Sequence, residues 1–147
     1  MAQIAHPIAD ITNDGYVDED DLSGSLFAAL DEATADDTDF IRSAVSPSDD
    51  VYVCRMAEVS DPVSTENHIL RVRYAKDDAG GAQIDMNLQL RQGYVSEGDP
   101  GSLIAEWDVT DISDEITQQS LVLTGEQTDA ITNYADLFVR VAFNEAG

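Results

Sequence analysis

IDMNLQL, residues 84–90, decides the fold class. Ile84, Met86, Leu88 and Leu90 alternate with Asp85, Asn87 and Gln89. A period of two places the apolar set on one face of a strand and the polar set on the other, the pattern of a half-buried antiparallel strand. A helix would scatter the same apolar residues around its circumference. The pattern recurs on both sides. HILRVRYA (68–75) sets Leu70, Val72 and Tyr74 against Arg71 and Arg73. SLIAEWDV (102–109) puts Leu103, Ala105, Trp107 and Val109 on one face, and DLFVRVAF (136–143) turns Leu137, Val139, Val141 and Phe143 inward. VYVCRMAEV (51–59) is apolar on both faces at its start, and QSLVL (119–123) is short. KDDAGG (76–81) reads as a hairpin turn between the strands that flank it.

Between these strands the signals change. In SLFAALDEA (25–33) Ala and Leu favour helix, but the run is short and ends in the acidic TADDTD, so a strand is expected. TGEQTDAITNYAD (124–136) has Thr124 and Gln127 at capping-box spacing, which predicts a short helical turn near 124–134. Residues 1–24 are polar, with Pro7, Gly15 and Gly24, and read as an extended N-terminal arm. Residues 25–147 are expected to form a single domain. Seven or eight short strands separated by Gly, Pro and Asp turns predict an all-β fold, an antiparallel β-sandwich that is jelly-roll-like.

The charge is the second constraint. Thirty acids face seven bases among 147 residues, a formal charge of −23, and Lys76 is the only lysine. Such a surface repels itself in dilute salt, and molar salt shrinks the screening length to about 3 Å. The composition therefore points to a high-salt medium. It argues against direct nucleic-acid binding, because seven bases among thirty acids form no basic patch. Cys54 is the only cysteine, so no internal disulfide is possible, and its apolar strand predicts a core position. MAQIAHPIAD lacks the basic start and apolar stretch of a signal peptide, and no apolar run approaches a membrane span. The expectation is a chain made soluble in a cytoplasm, with no membrane partner.

No catalytic motif stands out. His6 and His68 have no His or Cys partner at zinc spacing, and there is no P-loop, G-x-S-x-G or C-x-x-C. With thirty acids, carboxylate pairs occur at every spacing and carry no information. One segment, DITNDGYVDEDD (10–21), does match a calcium loop. Asp10, Thr12, Asp14, Tyr16 (by its carbonyl), Asp18 and Asp21 fall at positions 1, 3, 5, 7, 9 and 12, with Gly15 at position 6. The segment resembles a dockerin half-repeat, including Val17 and Leu22. It departs from that pattern in having Asp at position 12, a single copy, and Pro7 where a helix would enter. The competing reading is a solvated acidic loop. Arg71, Arg73, Arg91 and Arg140 fall on outward strand faces and are candidate anchors for an acidic partner; intramolecular pairing is the alternative. Trp107 and Tyr94 are candidates for a sugar-stacking platform, with a core position the better expectation for Trp107.

Several phrases together carry a resemblance: ADITNDGYV, LFAALDEATADDTDFIRSA, HILRVRYAKDDAGG, IDMNLQLRQG, GSLIAEWDVTDIS and LTGEQTDAITNYADLFVRV. From about residue 9 to 143 the chain resembles a group of small β-sandwich structural proteins encoded in the virion modules of tailed viruses. The resemblance implies a non-enzymatic viral structural protein, a capsid decoration or cement protein that binds the major capsid protein on the outer surface of the virion. The acidic composition suggests a halophilic host. Closed symmetry favours a homo-oligomer, most simply a trimer, and the N-terminal arm is a candidate to pair with a neighbour's sheet edge. Two alternatives stay open: a tail- or spike-associated receptor- or glycan-binding module, and a calcium-binding dockerin-like module. The charge itself yields a first prediction. Raising KCl from 0.1 to 3 M should raise the thermal midpoint by on the order of 10 °C, measured by calorimetry. A flat or falling midpoint would remove the salt-adaptation reading.

Overall fold

The computed structural model describes residues 3–31, 34, 36–77 and 81–146. In chain order the elements are β1 (Pro7–Asn13), β2 (Val17–Asp18), a 3₁₀ helix (Leu26–Ala29), β3 (Ile41–Arg42), β4 (Ser48–Met56), β5 (Ile69–Tyr74), β6 (Gln83–Gln92), β7 (Ser102–Val109), β8 (Thr117–Val122), α1 (Gly125–Asp129) and β9 (Leu137–Ala146). The chain is mostly β, its sheets are antiparallel, and it forms an all-β sandwich. Five strands make the main sheet in the order β1-β4-β9-β6-β7. The pairs β2–β3 and β5–β8 form two small ribbons. No helix among the described residues is long and apolar enough to cross a membrane.

The register explains which residues share a face. One row across the main sheet runs Cys54, Val139, Leu90, Ala105, and the next runs Tyr52, Val141, Leu88, Trp107. This face is apolar and forms the core. Tyr16, Leu26, Leu30 and Ile41 cover its β4 side, and Leu123, Ile131 and Tyr134 cover its β6–β7 side. On the opposite face the corresponding rows are Val53, Arg140, Gln89, Glu106 and Val51, Ala142, Asn87, Asp108. Only its β4 side is apolar, where Val51, Val53, Phe138 and Ala142 pack on Tyr94.

Four local expectations change. In SLFAALDEA, expected as a strand, Leu26–Ala29 forms the 3₁₀ helix instead, and residues 32 and 33 lie outside the described residues. Leu26 and Ala29, one turn apart, both bury, and the Asp10 carboxylate accepts hydrogen bonds from the Leu26 and Phe27 N–H groups at 2.7 and 2.8 Å. That cap comes from a distant strand, which local propensity does not contain. The hairpin expected around KDDAGG does not form, and residues 78–80 of it lie outside the described residues. Strand β5 pairs with β8 and β6 with β7 and β9, so the segment joins two different sheets. In β7 the phase of SLIAEWDV slips. Leu90 pairs with Ala105 but Arg91 with Leu103, which leaves Ile104 as an extra residue. The bulge buries Ile104 and leaves Leu103 46% exposed. The N-terminal arm is no free arm: residues 7–13 are the edge strand of the main sheet, paired with β4. Ile8 and Ile11 fall at two register shifts, and such bulges disfavour addition of a further strand at that edge.

The capping box stands as the spacing predicts. The Gln127 N–H donates to Thr124 Oγ1, and the Thr124 N–H to Gln127 Oε1. A second backbone constraint lies in the 93–101 turn. Gly101 has φ +67°, and a Cβ there would fall inside contact distance of the Gln92 and Gly93 carbonyl oxygens. Gly101→Ala should therefore destabilise by roughly 2 kcal/mol or more. That amounts to a drop of about 6 °C or more in thermal midpoint, whereas an unchanged midpoint would mean that the turn relaxes freely.

Candidate functional site

The predicted calcium ligands do not converge. Asp10 and Thr12 lie in extended β1, where Asp10 pairs with Cys54 and Thr12 with Val53, so their side chains project to opposite faces of the main sheet. Asp10 caps the 3₁₀ helix and accepts a hydrogen bond from the Tyr52 hydroxyl at 2.5 Å. Thr12 meets the Tyr94 hydroxyl at 2.9 Å. Asp14 accepts from the Val51 N–H, and the Tyr16 carbonyl accepts from Asn13. Asp18 accepts from the Asp20 and Leu22 N–H groups, and Asp21 pairs with Arg42. A calcium loop turns its oxygens toward one point; here each serves a separate local structure. Among the described residues no three His, Cys, Asp or Glu side chains form a metal-binding group. The donor set of DITNDGYVDEDD therefore does not fit the ion.

The four candidate arginines divide. Arg73 makes two bonds to the Asp37 carboxylate, 2.8 and 2.6 Å, and one to Gln118. Arg91 donates to Gln89 Oε1 at 2.6 Å and to the Pro100 carbonyl. Arg140 binds both oxygens of Glu97, with Nη2 to Oε1 at 2.6 Å. Arg71 alone of the four is exposed without a partner among the described residues. The anchors expected for an acidic partner are thus largely spent inside the chain. Tyr94 is 3% exposed and Trp107 packs on the core, so the two form no stacking platform. Cys54 is buried, and burial pushes its thiol up to about 12. His68 meets the Tyr134 hydroxyl at 2.9 Å.

What the structure assembles instead is a polar lattice on the open face of the main sheet. Arg91 donates to Gln89, whose amide donates to Glu106 Oε2 at 2.6 Å. Asn87 donates to Glu106 and to Asp108 Oδ1, 3.0 and 2.8 Å. Arg140 reaches Asn87 Oδ1 at 3.5 Å and clamps Glu97. The Tyr94 hydroxyl donates to Glu97 at 2.8 Å and receives the Thr12 hydroxyl. Strands β1, β6, β7 and β9 and the 93–101 turn thus hold one continuous network. Asn87, Gln89 and Arg140 turn donors onto Glu106, Asp108 and Glu97, while Arg91 is turned onto Gln89 and the Pro100 carbonyl. At one end, Asp49, Asp85, Asn87, Asp108 and Asn144 line a shallow depression of about 340 Å³. The arrangement can accept hydrogen bonds and attract cationic groups. The polar alternation of IDMNLQL could have pointed to Asn87 and Gln89, but Glu97 has no sequence signal, because its loop meets β9 only through tertiary folding.

Comparison of the chain with protein-family models, with curated proteins and with solved structures finds no match.

The clamp has a pH signature. The Arg140 hydrogen bonds hold the Glu97 carboxyl below its ordinary 4.5, and the Asn87 and Gln89 amides do the same for Glu106. A carboxyl lowered on folding contributes stability that is present above its unfolded value and lost as pH falls through the folded one. With Arg140 18% and Glu97 40% exposed, Arg140→Ala should cost roughly 1–2 kcal/mol at pH 7. In molar salt, the gap in thermal midpoint between the wild type and Glu97→Gln should be full at pH 7 and close below about pH 4.5. A gap that does not depend on pH would mean that the clamp contributes nothing through charge.

Proposed function

We propose that this chain is a non-enzymatic decoration or cement protein of a tailed-virus capsid, adapted to high salt. In this reading it is made in the host cytoplasm and binds the major capsid protein on the outer surface of the virion. A homotrimer at a three-fold position is the simplest arrangement. One observation supports the reading most: the broad face of the main sheet bears a pre-ordered lattice of amides and carboxylates. A face whose side chains are already fixed loses little rotamer entropy on docking. Its outward carboxylates suit basic groups on a shell subunit, which reverses the polarity expected from the arginines. The sequence resemblance and the charge of −23 point the same way. The glycan-binding alternative has lost its aromatic platform, since Tyr94 and Trp107 are packed inward.

The test is quantitative mass spectrometry on purified particles with capsids and tails separated. A copy number comparable to that of the major capsid protein, in the capsid fraction, is expected. Particles lacking the chain should assemble and then open at lower temperature or lower salt. A few copies confined to tails would replace the cement role with receptor binding, and absence from particles would end the viral reading.

A further inference from the structure

A second depression lies away from the sheet lattice, where the 61–65 loop meets the end of α1. It encloses about 220 Å³, and its polar lining is Asp61, Ser64, Thr65, Thr128, Asp129 and Tyr134. Three features describe it. First, it contains two carboxylates and no base. The chain's cations are engaged elsewhere, on Asp21, Asp37, Asp111 and Glu97, on Ala135 O and on Gln89, or stand on β5 as Arg71 does. Second, Asp129 accepts no hydrogen bond from any described residue. In the larger depression Asp85 and Asp108 are bonded, by the Asp111 N–H and by Asn87, while Asp49, like Asp129, accepts no hydrogen bond from a described residue. Third, Thr128 is 3% exposed, and its hydroxyl is the one buried side-chain polar atom among the described residues that has no hydrogen-bond partner. Burial together with the charges of Asp61 and Asp129 holds the Tyr134 phenol above its ordinary value, which places both carboxylates within electrostatic reach of one hydroxyl.

We propose that this depression is a socket for a cationic side chain, a guanidinium or ammonium group presented by a partner protein. The lining offers an excess of acceptors and a net negative charge, so it calls for a donor-rich cation. The volume suits one long basic side chain rather than a folded segment. The lining holds two carboxylates and no His or Cys, short of a metal-binding group. On the cement-protein reading, on which this assignment of the partner rests, the side chain belongs to the shell subunit.

The test is a heteronuclear NMR titration at the lowest salt at which the chain stays folded, with N-acetyl-arginine methylamide as the probe. Saturable shifts at Tyr134, Thr128 and Asp129 are expected. The double variant Asp61→Asn, Asp129→Asn should weaken the probe by at least about tenfold and leave the remaining spectrum unchanged. The Asp61→Asn change keeps a side-chain oxygen to accept from the Val63 N–H, as the carboxylate now does. Equal shifts with the neutral glutamine analogue or with glucose would overturn the proposal, as would calcium or magnesium shifting these residues while the arginine probe does not. So would undiminished binding by the double variant. The outcome is separable from the virion reading. A chain absent from particles that still binds the probe would sink only the cement role, and a chain on shells that ignores the probe would sink only the socket.

Discussion

Everything in this fold depends on the last strand arriving in the middle. β9 pairs with β4 on one side and with all ten residues of β6 on the other. Without it the main sheet is two separate pairs, β1–β4 and β6–β7. Val139 and Val141 join Cys54 to Leu90 and Tyr52 to Leu88, so the two halves of the core become one only when residues 137–146 dock. These contacts span much of the chain, and such non-local pairing carries a large loop-closure cost before it is rewarded.

The same strand organises the polar face. Its alternate residues, Phe138, Arg140 and Ala142, look away from the core. Arg140 is thereby set at the centre of the sheet, flanked by Val53 and Gln89. From there it reaches Glu97 in one direction and Asn87 in the other. Molar salt screens exposed charge pairs strongly, whereas a partly buried, hydrogen-bonded clamp keeps its geometry. The clamp gives a chain with a large surplus of carboxylates an ordered polar face.

The legible parts of the sequence were those governed by nearest neighbours along the chain. IDMNLQL alternates because one face of β6 meets the core, and Met86, Leu88 and Leu90 are buried there. Thr124 and Gln127 announced their helix because a capping box closes within four residues. DITNDGYVDEDD misled for the opposite reason. Its spacing suits a calcium loop, but β1 is drawn out along β4, and a register shift between Asp10 and Thr12 sends the two to opposite sides of the sheet. SLFAALDEA is short and runs into acidic turn residues, which suggests a strand, whereas the cap that favours a 3₁₀ turn, Asp10, lies sixteen residues from Leu26. Alternation along SLIAEWDV points Leu103 inward, and it turns outward because a bulge shifts the phase of β7 without leaving a mark in the pattern.

The sequence by itself determined the all-β class, the inward residues Met86, Leu88 and Leu90 of β6, the core position of Cys54, and a surface that carries a charge of −23. Those follow from period and composition, which act locally or on the whole chain at once. Only the tertiary structure decided that β5 leaves β6 for β8, that Arg140 meets Glu97, and that Asp61 and Asp129 share one depression. Each depends on which strands and loops become neighbours. Alternating patterns leave that choice open, because any two half-apolar strands can bury each other's faces, and the selection falls to the packing of the whole core.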